Sequence, residues 1–373
     1  MRIAELRARE RYDDILLRTL SQQLSVWHGE PFSVANRGHG QAWLEHRIFS
    51  AYVTAEATRE VRRFLADQVR HTSNRLRRLP QFVIGTAAAT RLGIRAASSS
   101  KLFVSPHIPN ANHLAILPGN RRIRFFDLAK QCSRVVMKDG FSSDAIDAEL
   151  RVRGSGHNGP FPPILDMDQA AGWFTEPLVS GRVLARIPSR TAARSYRDLA
   201  LRQLTAWAAP GRLFWSYEQW WAENTVAKAL LGESMDAVNA LIGHEPKVEV
   251  QPSHGDFQPG NILVQPSESR VWLLDWEFYG IRSTHYDGLV LLTGLRWPGQ
   301  AAASIEDALL GRLLVPSLQS LSLQQRKRAV VMALIEDITL RLRGWDGTLE
   351  GASPPEIPYL IALIRSVIER GQT

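Results

Sequence analysis

His254-Gly255-Asp256-Phe257-Gln258-Pro259-Gly260-Asn261, followed by Leu273-Leu274-Asp275-Trp276-Glu277, is the stretch on which the reading of this 373-residue chain turns. Asp256 precedes Asn261 by five residues, and Pro259-Gly260 between them favours a tight turn that brings both side chains around one bend. Asn261–Val264 and Val271–Leu274 read as two short strands around the turn 265–270, so the hairpin returns Asp275 beside Asn261. A carboxylate, an amide and further carboxylates gathered this way offer a proton acceptor and a set of hard oxygen donors for a divalent cation. A polar loop between core strands is the plain alternative. Two separate pieces at this separation, each flanked by strand-like residues, weigh against it.

Phosphoryl transfer requires this kind of site, because it rests on positioning and charge neutralisation more than on covalent protein chemistry. The pattern resembles the kinase catalytic loop, His-x-Asp-x-x-x-x-Asn followed by the metal-motif Asp. With Gly after the His and Asp-Trp-Glu at the second piece, it is most similar to the aminoglycoside phosphotransferase / choline kinase family of small-molecule kinases. The resemblance covers roughly residues 113–300. It implies a catalytic base at Asp256, magnesium ligands at Asn261, Asp275 and Glu277, and a structural His254 that braces the loop.

Upstream, the element order agrees. His113–Leu117, Ile123–Leu128 and Arg134–Lys138 read as a three-strand meander, and a helix from Ser142–Asp144 runs to about Arg153. Val135-Val136-Met137-Lys138 resembles the strand whose Lys reaches the nucleotide phosphates and pairs with a helix Glu. The chain has only six Lys, which singles out Lys138. Glu149 is the candidate partner, and Asp147 competes with it because spacing does not settle which faces inward. Two further strands are expected, at the Pro-rich 159–165 and at Trp173–Val179. The segment Trp173–Gly181 resembles the inter-lobe hinge. Glu176 and Leu178 are its nucleotide-binding candidates, with Leu178 as the backbone donor because Pro177 has no N–H. A G-x-G-x-x-G phosphate loop is missing. The corresponding turn is Pro118-Gly119-Asn120-Arg121-Arg122, whose arginines are expected to be solvated unless they contribute to the phosphates.

Beyond Arg182 the chain reads as helical apart from the one hairpin. Asp287 is expected to support the core. Trp220-Trp221, with Glu218 and Glu223, lies where the family commonly lines its acceptor pocket, but adjacent Trp cannot both face one way on a helix. Glu336 and Asp337 are weaker acceptor candidates, more simply read as ion pairs on a solvated helix.

Composition narrows the class. Apolar residues make up 45% and charged residues 22%, ordinary for a soluble globular protein. A single Cys, Cys132, excludes a disulfide framework and a Cys-rich zinc site. No run of about 18 apolar residues suggests a membrane span, and the N-terminus has no apolar signal region, so a cytoplasmic location is expected. The net charge of +8 sits in residues 1–110, which hold 17 basic and 9 acidic residues, while the remainder balances. That first third reads as mostly helical. Ile15, Leu16, Leu17, Leu20 and Leu24 recur at helical spacing. Over 56–78, Val61, Phe64, Leu65 and Val69 oppose Arg59, Arg62, Arg63 and Arg70, and Pro80 is expected to end the segment. Ala-Ala-Ser-Ser-Ser at 96–100 is the nearest thing to a linker. The arginine stripe reads first as a solvated face. A peripheral contact with an anionic membrane is the second reading, and no motif supports nucleic acid.

The expected architecture is therefore α+β and bilobal, protein-kinase-like. It has a helical basic N-terminal extension (1–100), a small antiparallel-sheet N-lobe (101–180) and a mostly helical C-lobe with the catalytic loop (181–373). The implied activity is ATP- and Mg²⁺-dependent transfer of the γ-phosphoryl group to a hydroxyl of a small molecule such as a sugar, amino alcohol or aminoglycoside-like compound. The alternative is a catalytically silent nucleotide-binding or scaffold protein that docks a partner through the basic extension. A protein kinase is disfavoured, because no Ala-Pro-Glu motif follows Asp275 and the interval before the next apolar helix is short.

Overall fold

The computed structural model describes residues 3–70, 75–154, 159–243, 245–313, 315–343 and 354–370. The meander expected around residue 113 forms as β5 (Leu114–Pro118), β6 (Arg122–Asp127) and β7 (Cys132–Met137), all antiparallel. The helix Asp144–Gly154 follows, then β8 (Asp166–Asp168) and β9 (Trp173–Pro177), with β9 pairing β7. β8 starts after the Pro-rich stretch. Pro160 instead accepts a backbone hydrogen bond from Leu273, and Phe161 packs into the C-lobe core.

The first hundred residues depart from the helical extension that the pattern predicts. Helices Ile3–Arg9, Tyr12–His28 and Arg59–Arg70 form, but so do β1 (Ser33–Ala35), β2 (Gln41–His46) and β3 (Ala51–Thr54). β4 (Ser98–Ser105) occupies the predicted linker and crosses the predicted boundary at residue 100. These strands continue the N-lobe sheet, giving nine strands in the order β1-β4-β2-β3-β5-β6-β7-β9-β8. The cause is a buried polar hub that a hydrophobicity pattern does not register. Glu45 on β2 is 3% exposed, takes both terminal nitrogens of Arg7, and accepts from Ser99 and Ser100 at 2.9 and 2.6 Å. The serines that look like a linker are there to satisfy a buried carboxylate. Pro80 lies inside the helix Arg75–Ala88 and does not end the segment, its missing N–H removing one intrahelical bond. Residues 71–74 of the predicted helical segment lie outside the described residues.

Strand alternation sorts the two faces of the sheet. Tyr52, Ile116, Phe125 and Val136 face the hairpin of helices Ile3–Arg9 and Tyr12–His28, packing on Leu6, Leu16, Leu20 and Leu24. Val135, Met137 and Phe174 face the other way, onto Ala145, Ile146 and Leu150 of the helix Asp144–Gly154. Further along that second face, Val53 and Ala115 meet Val61 and Leu65, while Arg59 and Arg63 on the same helix point to solvent.

The C-lobe packs around the helix Leu323–Arg343, which is buried from Ala329 to Leu340. Its helical character is interrupted twice. β10 (Arg182–Val183), β13 (Ile262–Gln265) and β14 (Arg270–Leu273) form one small sheet, which contains the expected hairpin. β11 (Leu213–Ser216), β12 (Lys247–Ser253) and β15 (Gly280–Ser283) form a second, which the sequence pattern does not announce. The order of elements is that of a bilobal, protein-kinase-like α+β fold.

Candidate active site

β12 delivers the chain into the loop. Gly255 has φ +81°, and a Cβ there would lie 2.1 Å from the carbonyl oxygen of Phe278, so a side-chain-free residue must follow the His. His254 is fully buried. Its Nε2 lies 2.9 Å from the Leu274 carbonyl, and its Nδ1 accepts from the Asp256 N–H, which ties the loop to the hairpin. Burial lowers the His254 pKa, outweighing the pull of Asp287 and Asp256, so the imidazole braces the loop in its neutral form. Asp287 takes the backbone N–H groups of His254 and Gly255 at 2.9 and 3.2 Å, the core-supporting role expected for it.

Asp256 is buried, and its carboxylate is fully engaged. Arg296 Nε donates to Oδ1 at 2.5 Å, Gln258 donates to both oxygens, and Asn261 Nδ2 donates to Oδ2 at 2.9 Å. Burial alone would raise its pKa. The guanidinium of Arg296, with His254 and the Gln258 hydrogen bonds, outweighs that and holds the carboxyl below its usual range. Arg296 is locked in turn by Asp337 (3.0 Å) and the Gly255 carbonyl (3.0 Å), and Asp337 by Arg341 (2.7 Å) and the Tyr286 hydroxyl (3.1 Å). Asp337 and Glu336 are thus buried parts of the core, not the solvated ion pairs expected. Asp337 supports Arg296, and Glu336 accepts from Trp220 Nε1, the Ser283 N–H and the Ser283 hydroxyl. Both Trp220 and Trp221 are buried. Sequence reasoning misses Arg296 because it stands alone, two residues past a helix that ends on Gly294, and belongs to no local pattern.

Asp275 sits across the hairpin with φ +71°, a left-handed conformation that costs a non-Gly residue energy and is characteristic of functional positions. Its surroundings are where expectation and structure part. Arg122, on β6, is 5% exposed and places three nitrogens on three carboxylates: Nη1 on Glu149 at 2.8 Å, Nε on Glu277 at 3.2 Å, and Nη2 on Asp275. Arg153 pairs with Glu149 (2.9 Å) and Glu176 (2.5 Å), and Arg124 with Glu176 (2.7 Å). Glu149, whose carboxylate also accepts from the Trp276 N–H at 2.8 Å, has a pKa of about 2, because Arg153 and Arg122 overcome the desolvation that would otherwise raise it.

Several assigned roles are therefore corrected. Lys138 does not meet Glu149. It follows Val136 in strand alternation, so it projects to the face opposite the helix Asp144–Gly154. There it is bound by Glu10 and by the Asn120 carbonyl at 2.8 Å. Glu149 is the inward residue of its helix, as against Asp147, but its partners are arginines. Glu176 is consumed by Arg124, Arg153 and Ser133, and the Leu178 N–H already donates to the Gln131 carbonyl at 2.8 Å, extending the β7–β9 ladder. Arg121 and Arg122 are buried, not solvated. Asn261, Asp275 and Glu277 have the oxygen chemistry for magnesium, but as arranged they do not fit it. A guanidinium already occupies Asp275 and Glu277, and no cluster of three or more His, Cys, Asp or Glu suited to a metal occurs among the described residues.

Beside this network a cavity of about 410 Å³ lies between the lobes. Arg121, Arg151, Arg282 and Arg343 line it together with Asp144, Glu223 and Glu277. A larger cavity, about 620 Å³, lies in the C-lobe near Arg212, His285 and Arg328, and Asp256 lines neither of the two.

A strand-built small lobe, a helical large lobe, and an Asp-Asn loop facing an Asp across a hairpin make up a kinase-like fold. Residues 177–321 match the family model described as the phosphotransferase enzyme family. The resemblance to aminoglycoside phosphotransferases and choline kinases holds. No protein of curated function matches the chain. Similar solved structures include a choline/ethanolamine kinase family protein from Mesorhizobium loti, at 17% identity and TM-score 0.41, covering 68% of this chain and 92% of that one. Choline kinase LicA from Streptococcus pneumoniae stands at 12% and 0.40, covering 70% and 90%. Aminoglycoside phosphotransferase APH(4)-Ia stands at 12% and 0.49, covering 70% and 94%.

Proposed function

We propose that the protein transfers the γ-phosphoryl group of ATP to a hydroxyl of a small molecule. The observation that carries this is Asp256, buried yet held ionised on a rigid loop, with Asn261 bonded to it and Asp275 across the hairpin. Asp256 orients the acceptor hydroxyl and receives its proton. Both its oxygens already take donors, so the incoming hydroxyl replaces the amide of Gln258, the partner with the least other anchorage. Arg296 keeps the remaining oxygen in place. The 410 Å³ cavity between the lobes, which Glu277 lines and Asp256 does not, has a paired basic and acidic lining that suits a polyhydroxylated or zwitterionic molecule such as a sugar or amino alcohol. An ATP-consumption screen over hydroxylated metabolites, with Asp256→Asn as the blank, tests this. Turnover above that blank supports the reading, and wild-type rates in the variant refute it.

One observation favours the second reading, a silent nucleotide-binding or scaffold protein. The acidic motif is neutralised by Arg122, and Lys138 is paired with Glu10. ATP binding without turnover on any acceptor is the result that distinguishes it.

A further inference from the structure

The helix Arg75–Ala88 is amphipathic in the inverted sense. Its buried positions are the small Gly85 and Ala88, and Ala88 packs with Val61, Leu65 and Ile94. Leu79, Phe82, Val83 and Thr86, three and four residues apart and so on one face, are all exposed. Leu79 is 71% exposed, and Leu92, on the short helix Arg91–Ala96 that follows, is 80% exposed. Among the described residues, exposed large apolar side chains elsewhere stand singly or in pairs along the chain. A cluster of this kind turned to water marks a contact surface.

The charge around this face says what it contacts. From Gln68 to Ser100 the chain holds six Arg and no Asp or Glu. Arg91 and Arg95 are exposed, and Arg95 reaches Glu56 only at 3.9 Å, with both side chains largely in solvent. The helix Arg59–Arg70, which packs against Arg75–Ala88, carries four Arg against Glu60 and Asp67, with Arg59 and Arg63 exposed. We propose that the helices Arg75–Ala88 and Arg91–Ala96 dock the protein on an anionic lipid surface. Leu79, Phe82, Val83 and Leu92 enter the headgroup region, and the arginines around them bond lipid phosphates. An interfacial helix needs this pairing of apolar side chains with cations. A negatively charged leaflet attracts each arginine near it, and a guanidinium fork matches phosphate oxygens. A second copy of the chain is a poor occupant, since a two-fold contact through this face would set the arginines against their own images. Nucleic acid would satisfy the arginines and leave the apolar face in water. The proposal uses no residue of the Asp256 site and is independent of turnover.

Flotation of the full chain with lipid vesicles tests it. Binding to vesicles of phosphatidylcholine with about one-third phosphatidylserine is expected to be at least about tenfold tighter than to phosphatidylcholine alone, and to weaken in high salt. Phe82→Ser/Val83→Ser should lower the affinity for the anionic vesicles at least about tenfold. Both side chains are already exposed, so its melting temperature should match that of the wild type. Leu92→Ser, on the other helix, should weaken binding in the same direction and serves should the double variant not fold. Phe214→Ser, at an exposed apolar residue of β11, should bind as the wild type does. No binding to anionic vesicles, equal binding to neutral ones, or binding that Phe82→Ser/Val83→Ser and Leu92→Ser leave unchanged overturns the proposal. So does a dimer, seen by sedimentation without lipid, that those substitutions dissociate, since the face would then belong to a second copy.

Discussion

The Asp256 loop and the arginine–carboxylate side of the small lobe are built on opposite principles. In the loop, residues 254–261 and 275 are fixed by local geometry: a positive-φ glycine, a Pro-Gly turn, a two-strand hairpin and a buried His that bonds across it. In the small lobe, the charged residues are fixed by which face of a strand they occupy, and a displacement of one residue sends a side chain to the other side of the sheet. Asp256, Asn261 and Asp275 therefore stand where a reading of spacing puts them. Lys138 stands on the opposite face of the sheet from Glu149.

The largest expected effect tests the loop. Asp256→Asn keeps the shape and removes the proton acceptor, so turnover in the ATP-consumption assay should fall by about 10²-fold or more, measured at a temperature where the variant, which also takes a buried partner from Arg296, is still folded. Retained activity would move the working site away from the loop altogether.

The next tests the small lobe. Glu149→Gln leaves Arg122 and Arg153 facing each other without their shared carboxylate, with both side chains shielded from solvent. The loss of unfolding free energy, measured by urea denaturation, should be about 3–5 kcal/mol, the cost of breaking a buried ion pair. Gly255→Ala adds about 1–3 kcal/mol for an unfavourable φ to the cost of moving the Phe278 backbone, whose carbonyl oxygen the new methyl would meet at 2.1 Å. If Gly255→Ala proves harmless while Glu149→Gln unfolds the protein, rigidity resides in the small lobe and not in the loop.

Lys138 sharpens the contrast further. Both it and Glu10 have side chains entirely out of solvent. Lys138→Met should lower stability by stranding Glu10, and the double variant Lys138→Met/Glu10→Gln should recover most of the loss. If the structure's pairing is the working one, the rate of phosphoryl transfer in the double variant stays near that of the wild type. A rate lost without a loss of stability would show that Lys138 leaves Glu10 to reach the nucleotide.

These cases also show what a single sequence conveys. The meander, the helix Asp144–Gly154, the hairpin and the catalytic loop were all legible, since each rests on local spacing and turn chemistry. The nine-stranded sheet was not, because β2 carries a buried Glu45 and β4 begins with three serines, so neither shows apolar alternation. Arg122 and Arg296 were not either. Each gains its meaning from partners far along the chain: Glu149, Asp275 and Glu277 for one, Asp256 and Asp337 for the other. An arginine beside a hairpin turn has no local property that distinguishes burial from solvation.

The smallest expected effect separates the lobes by pH. In the C-lobe, His285 is held to a pKa of about 4 by burial, with Arg328 and Arg212 adding to the effect. An unfolded His titrates near 6.5. The unfolded chain therefore takes up this proton first as pH falls, and the stability that His285 contributes by staying neutral is full above about 6.5 and drains away down to about 4. In the small lobe, Glu149 has a pKa of about 2, below its ordinary 4.5. Its contribution is intact above about 4.5 and is lost as pH falls from there through 2. Acid should thus weaken the C-lobe before it touches the arginine–carboxylate network. Urea midpoints taken between pH 7 and 3 should decline in two stages. His285→Gln should reduce the stage between about 6.5 and 4, the remainder of which comes from His254, His46 and His28, whose pKa values burial also lowers, and should leave the lower stage alone. A single decline confined below pH 4.5, unchanged by that substitution, would mean that the buried imidazole carries no such load, and that the carboxylates alone set the acid limit of the fold.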